Sequence, residues 1–268
     1  MPAEADTALL SLLVRMGATA GFVFAMSWLV AHASERLAAF AISLPVVIGP
    51  GFFVLTMERE TAFVAVAAES ALGALAGTVV FAVGVALLAR RVGSRATILG
   101  ALGLWLVAAS LAGLANGWAA NALTFTAVYT LGLRAVPLPA DVSRAARGWS
   151  RARSATLAVA AGGLVAVVTL AAGVLGPTVS ATLIALPVGL LFVALDTLRT
   201  ANSDTVARVM AAGARGTASL ALFLVLVRSL LPVGISAVAA IVLATLGGMI
   251  LSAWLTRWTR ASPGRSGT

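Results

Sequence analysis

Long apolar runs, separated by short polar segments, dominate the chain. A helix needs roughly 20 residues to cross about 30 Å of hydrocarbon, and many of these runs are that long. The alternation of polar and apolar residues that is typical of barrel strands is missing, so a transmembrane barrel is not indicated. The pattern predicts nine membrane-spanning helices, at 8–31, 36–57, 61–89, 96–115, 118–135, 154–175, 177–198, 204–230 and 233–257.

Composition leads to the same fold class. Of the 268 residues, 61% are hydrophobic and only 10% are charged, and the mean hydropathy is +1.06. Soluble domains hold about 45–50% apolar residues, and a soluble core could not absorb the surplus found here. We therefore predict an all-α, polytopic integral membrane protein.

The distribution of arginine predicts the orientation in the membrane. All 18 basic residues are arginine and the net charge is +9, which in a soluble protein would indicate nucleic acid; here we attribute it first to codon usage. With loops on alternate sides, 14 of the 18 arginines fall on one side, which the positive-inside rule makes cytoplasmic. We expect a bacterial-type inner membrane, with the N-terminus outside and the C-terminus in the cytoplasm.

Several classes of chemistry are excluded by the residues present. The chain has no cysteine and a single histidine, His32, so thiolate metal sites, disulfides and histidine-based catalysis are ruled out. No phosphate-binding loop or nucleophile with a base is found, and the short loops leave no room for a catalytic domain. We expect neither an enzyme nor a cofactor or metal site.

A short motif occurs once in each half of the chain. Leu44-Pro45-Val46 and Leu186-Pro187-Val188 lie 142 residues apart, each in the second span of a group of four. A single span separates the groups, so they would cross the membrane in opposite directions, as inverted-topology repeats do. Chance similarity in an Ala/Leu/Val-rich sequence is the alternative. The predicted organisation is a first repeat at 1–117, a linking helix and basic loop at 118–153, and a second repeat with a short tail at 154–268.

Prolines within two spans are candidates for a binding site. Pro45 and Pro187 lie about 14–15 Å from the span ends at 1.5 Å per residue, near the middle of the membrane. A proline frees a helix carbonyl, and in lipid that carbonyl must face protein or a water-filled cavity. We predict substrate contacts from these prolines and from a second break at Gly49, Pro50 and Gly51. The alternative is a kink that serves only packing.

Polar residues inside the spans are further candidates. Glu69 and Arg215 are both expected near mid-membrane, facing each other or a polar cavity, with Arg215 binding an anionic group and Glu69 coupling protons. A purely structural ion pair is the alternative. Asp196 is a secondary candidate for proton coupling, because a local ion pair with Arg199, three residues later, explains it adequately. Asn121 and Tyr129 are candidates for substrate contact or for hydrogen bonds between helices.

Two glycine motifs permit close approach of helices. Gly17 and Gly21 form one small-xxx-small pattern, and Gly73 and Gly77 form another. Such patterns indicate tight packing within the subunit or a helix contact between two copies. A homodimer is therefore left open.

Small residues followed by Gly-Thr occur at Gly73 with Gly77-Thr78, and at Arg215-Gly216-Thr217. This pattern resembles the repeated membrane units of the fusaric-acid-resistance family of aromatic-acid exporters. The resemblance implies efflux of hydrophobic organic acids. It assigns no binding residue, and the large cytoplasmic domains of that family are missing here.

These features together predict a secondary active transporter. More specifically, they predict a proton-coupled exporter of a small, anionic organic solute. Its site would lie between the inverted repeats, and one repeat would rock against the other. The expected partners are the solute and membrane lipid, without nucleic acid. An ion or solute channel and a lipid-handling protein are the alternatives.

Overall fold

The structure is a computed structural model that describes residues 59–115, 117–136 and 185–258 without interruption, and scattered residues within 9–28, 48–56, 151–163 and 182–183. The described residues form helices and the turns between them, with no strand among them. The prediction of an all-helical protein is confirmed for this part of the chain. The helices described along their whole length are α1 (Thr61–Leu88), α2 (Ser94–Ala112), α3 (Trp118–Ala135), α4 (Val188–Thr200), α5 (Ser203–Leu230) and α6 (Ala237–Trp258).

Four of the described helices are long and apolar enough to cross a membrane: α1, α2, α6, and α5 together with the short 3₁₀ helix Leu231–Val233 that follows it. They correspond to the third, fourth, ninth and eighth predicted spans. The protein is therefore membrane-associated, as its composition predicts. Helix α3 coincides with the fifth predicted span but carries more polar side chains and is not one of the four. The other predicted spans, on which the total of nine depends, lie wholly or partly outside the described residues.

Helix α1 lies at the centre of the described helices. It is apolar around its whole circumference, which is typical of a helix surrounded by other helices and lipid, and most of its residues are buried. Helices α2, α3 and α5 pack against it. Gly73 faces Asn121 of α3 and Gly77 faces Trp105 of α2. This small-xxx-small motif therefore serves packing within the subunit.

Helices α1 and α5 run antiparallel, with an ion pair near each end. Arg90, just past α1, contacts Asp204 in the first turn of α5 at 2.8 Å. Near the opposite end, Glu69 of α1 contacts Arg228 of α5 at 3.7 Å. Apolar side chains fill the interface between these pairs, among them Leu72, Leu75 and Val79 of α1 and Phe223, Leu224 and Val227 of α5.

Candidate functional site

The helix break predicted at Pro187 is present. Pro187 has φ −76° and ψ 54°, the values of the central residue in an inverse γ-turn. The amide of Val188 donates to the carbonyl oxygen of Leu186 at 2.7 Å, which closes this three-residue turn. Helix α4 begins directly after the turn, so a helix end is placed within the predicted seventh span.

The turn leaves two backbone donors free at the start of α4. In a continuous helix, the carbonyls of Ala185 and Leu186 would accept from Gly189 and Leu190, four residues later. Here the Leu186 carbonyl is taken by the γ-turn, and the Ala185 carbonyl accepts a hydrogen bond from the Thr78 hydroxyl of α1 at 3.1 Å. The amides of Gly189 and Leu190 consequently have no hydrogen-bond partner among the described residues.

Gly189 and Leu190 also line a cavity that lies between α1, the break and α5. Its volume is about 60 Å³, counted as the space open to the centre of a water molecule, which admits a few waters or a small solute. Most of the wall is apolar, and the hydroxyls of Thr78 and Thr217 are its polar side-chain groups. The lining residues are Ile48, Leu75, Thr78, the segment 185–190, Val193, Gly213, Thr217 and Leu220.

Pro187 is the one described candidate from the sequence that lines this cavity. Arg215 does not line it, because of its position around the helix. At about 100° per residue, Arg215 lies about 200° from both Gly213 and Thr217, which line the cavity from α5. Its guanidinium donates to the Ala211 carbonyl of its own helix at 3.2 Å. The arginine therefore faces away from the cavity.

Glu69 also lies away from the cavity, and the expected contact between Glu69 and Arg215 is wrong. The antiparallel register brings Glu69 to Arg228, which is 13 residues after Arg215, or about 20 Å along α5. The Glu69 side chain is 19% exposed and that of Arg228 is 37% exposed. Arg228 was not among the candidates from the sequence, so its contact with Glu69 was missed.

Two further candidates, Asn121 and Tyr129, support helix packing. Asn121 is buried against Gly73, and its side-chain amide donates to the Gly117 carbonyl at 3.2 Å. The Tyr129 hydroxyl donates to the Arg215 carbonyl at 3.4 Å and so joins α3 to α5.

The other candidates from the sequence do not line the cavity or lie outside the described residues. Asp196 lies in α4, half-buried and away from the cavity wall. Gly49 is helical and buried beside the lining residue Ile48, whereas Pro45, Pro50 and Gly51 lie outside the described residues.

Two threonines of the cavity were not recognised as site residues from the sequence. Thr78 and Thr217 are 3% and 1% exposed, and each directly follows a glycine in a small-residue stretch. From the sequence alone, those Gly-Thr pairs indicate only a family resemblance. If the pairing of α1 with α5 had been known, the position of the two threonines on the facing sides of these helices would have identified them as candidates.

No group of histidine, aspartate and glutamate within the described part of the chain could hold a metal ion. Comparison with family models, curated proteins and solved structures gave no match. The resemblance to the aromatic-acid exporters therefore stays a prediction, and the candidate function depends on the geometry of the cavity.

Proposed function

We propose that the protein is a secondary transporter for a small anionic organic solute. The observation that carries this proposal is the helix break at Pro187, which opens onto a cavity between two long apolar helices. Many secondary transporters form their solute site inside the membrane from interrupted helices with exposed ends. Irregular backbone at that depth is tolerated where it borders a cavity.

The chemistry of the cavity favours a short-chain carboxylate. The free amides of Gly189 and Leu190 lie at the positive end of the α4 dipole, where an anion is stabilised. Apolar walls from Leu75, Val193 and Leu220 suit a short hydrocarbon tail. Because Arg215 faces away, we assign the contact with the carboxylate to the α4 amides instead.

The helix arrangement supports two related halves. Helices α1 and α5 occupy corresponding places in the two predicted repeats, and they form the central antiparallel pair. Each packs against the helix that follows it, α2 and α6 respectively. Inverted repeats would give this arrangement, and rocking of one half against the other would expose the cavity to each side in turn. In the predicted orientation, the end with Arg90 and Asp204 is cytoplasmic.

Thiol labelling tests whether the cavity is reached from water. The chain contains no cysteine, so Thr217→Cys places a single thiol in the cavity wall. We expect a charged, membrane-impermeant methanethiosulfonate reagent to modify it, from the cytoplasmic side in inverted vesicles and from the outer side in intact cells. An excess of propionate should slow the modification, and the modified protein should no longer take up labelled propionate in proteoliposomes.

Ser219→Cys is the matched control, because Ser219 lies on the same helix, is fully buried and does not line the cavity. Its thiol should stay unmodified under the same conditions. Equal labelling of both positions, or none at Thr217→Cys, would contradict a solute cavity at this place. Uptake that never saturates and cannot drive counter-transport would instead favour a channel.

A further inference from the structure

We infer that Thr78 is a positioning residue that keeps the Gly189 amide of α4 free for solute, an inference that rests on the transport function proposed above. Thr78 lies on α1, and its hydroxyl reaches a carbonyl 107 residues away in the sequence. Both groups are buried, with Ala185 and Thr78 each 3% exposed.

Pro187 by itself does not explain why the Gly189 amide is free. A proline lacks one amide, which in a helix would donate to the carbonyl four residues earlier. That carbonyl belongs to Leu183, and it accepts from the Leu186 amide at 3.1 Å instead. An ordinary proline kink could therefore keep the bond from Gly189 to Ala185. Without that bond the buried Ala185 carbonyl needs another donor, and Thr78 supplies one.

Removing the Thr78 hydroxyl would leave the Ala185 carbonyl buried without a partner, which is unfavourable in an apolar interior. Thr217 is not available as a substitute, since its single donor already goes to the Ala214 carbonyl at 2.7 Å. The nearest remaining donor along the chain is the Gly189 amide. Formation of that bond would continue helix α4 across the break and occupy one of the amides that face the solute.

Hydrogen–deuterium exchange of the full-length protein in lipid nanodiscs tests this role without solute. Thr78→Val keeps the shape of the side chain but removes the hydroxyl, and Thr78→Ser retains it. In peptides that cover residues 186–193, we expect Thr78→Val to slow amide exchange by up to about tenfold, the effect of one added hydrogen bond. Thr78→Ser should exchange like the unaltered protein.

Thr197→Val serves as the control, because the buried Thr197 hydroxyl bonds only within α4, to Val193 and Ala194. It should leave exchange near Gly189 unchanged. Unchanged exchange in Thr78→Val would overturn the inference, whatever the transport activity. Slower exchange in Thr78→Val, combined with no propionate flux in the unaltered protein, would confirm the positioning role and contradict the proposed function.

Discussion

Substituting Glu69 by glutamine is expected to abolish the pH dependence of propionate transport while leaving the protein folded. Glu69 is the only acidic residue within α1, and its partner Arg228 lies on the neighbouring helix α5. Protonation of the carboxylate would remove the negative charge from this contact between the two helices. Glutamine keeps the size of the side chain but cannot exchange a proton, so uptake into proteoliposomes should become equal at acidic and neutral pH.

The ion pair at the opposite end of α1 and α5 provides the control. Asp204→Asn removes the contact with Arg90. The side chains of Arg90 and Asp204 are 54% and 60% exposed, and exposed ion pairs contribute little to stability. This variant should keep the pH dependence. If Glu69→Gln also keeps it, Glu69 has no part in proton coupling, and Asp196→Asn becomes the next variant to measure.

Gly73→Ala is expected to destabilise the helix bundle by about 2 kcal/mol, the effect of forcing extra volume into a packed interface. An added methyl group at Gly73 would overlap the side-chain oxygen of Asn121 on α3. Asn121 is 4% exposed and has little space to move. Equilibrium unfolding in mixed micelles, followed by circular dichroism, would measure the change in the free energy of unfolding.

The control for this effect is Gly103→Ala, on an exposed face of α2 with no atom close to the added methyl group. Alanine favours a helix by up to about 1 kcal/mol over glycine, so this variant should be neutral or more stable. The double variant Gly73→Ala with Asn121→Ala should recover part of the lost stability, because it removes the overlapping group. Equal effects of the two glycine substitutions would rule out a specific contact between α1 and α3.

The candidate site was only partly predictable from the sequence. Pro187 was found because a proline in the interior of a helix disrupts it, and this effect depends on residues that are close in the sequence. Thr78 was missed because its importance depends on a carbonyl far away in the sequence. Arg215 was expected at the site because it is charged and near mid-membrane, yet its position around α5 directs it away from the cavity.

The sequence by itself determined that this is a helical, membrane-associated protein, and it located α1, α2, α3, α5 and α6 to within a few residues. These properties follow from local chemistry, since the length of an apolar run and its polar ends decide where a helix lies in a membrane. The tertiary structure decided which residues meet. The register of α1 against α5 selected Arg228 as the partner of Glu69, and Thr78 of α1 supplied the donor for the Ala185 carbonyl, which does not accept from the Gly189 amide of α4. Such pairings depend on how helices distant in sequence pack together, which the pattern of apolar residues along a single chain does not specify.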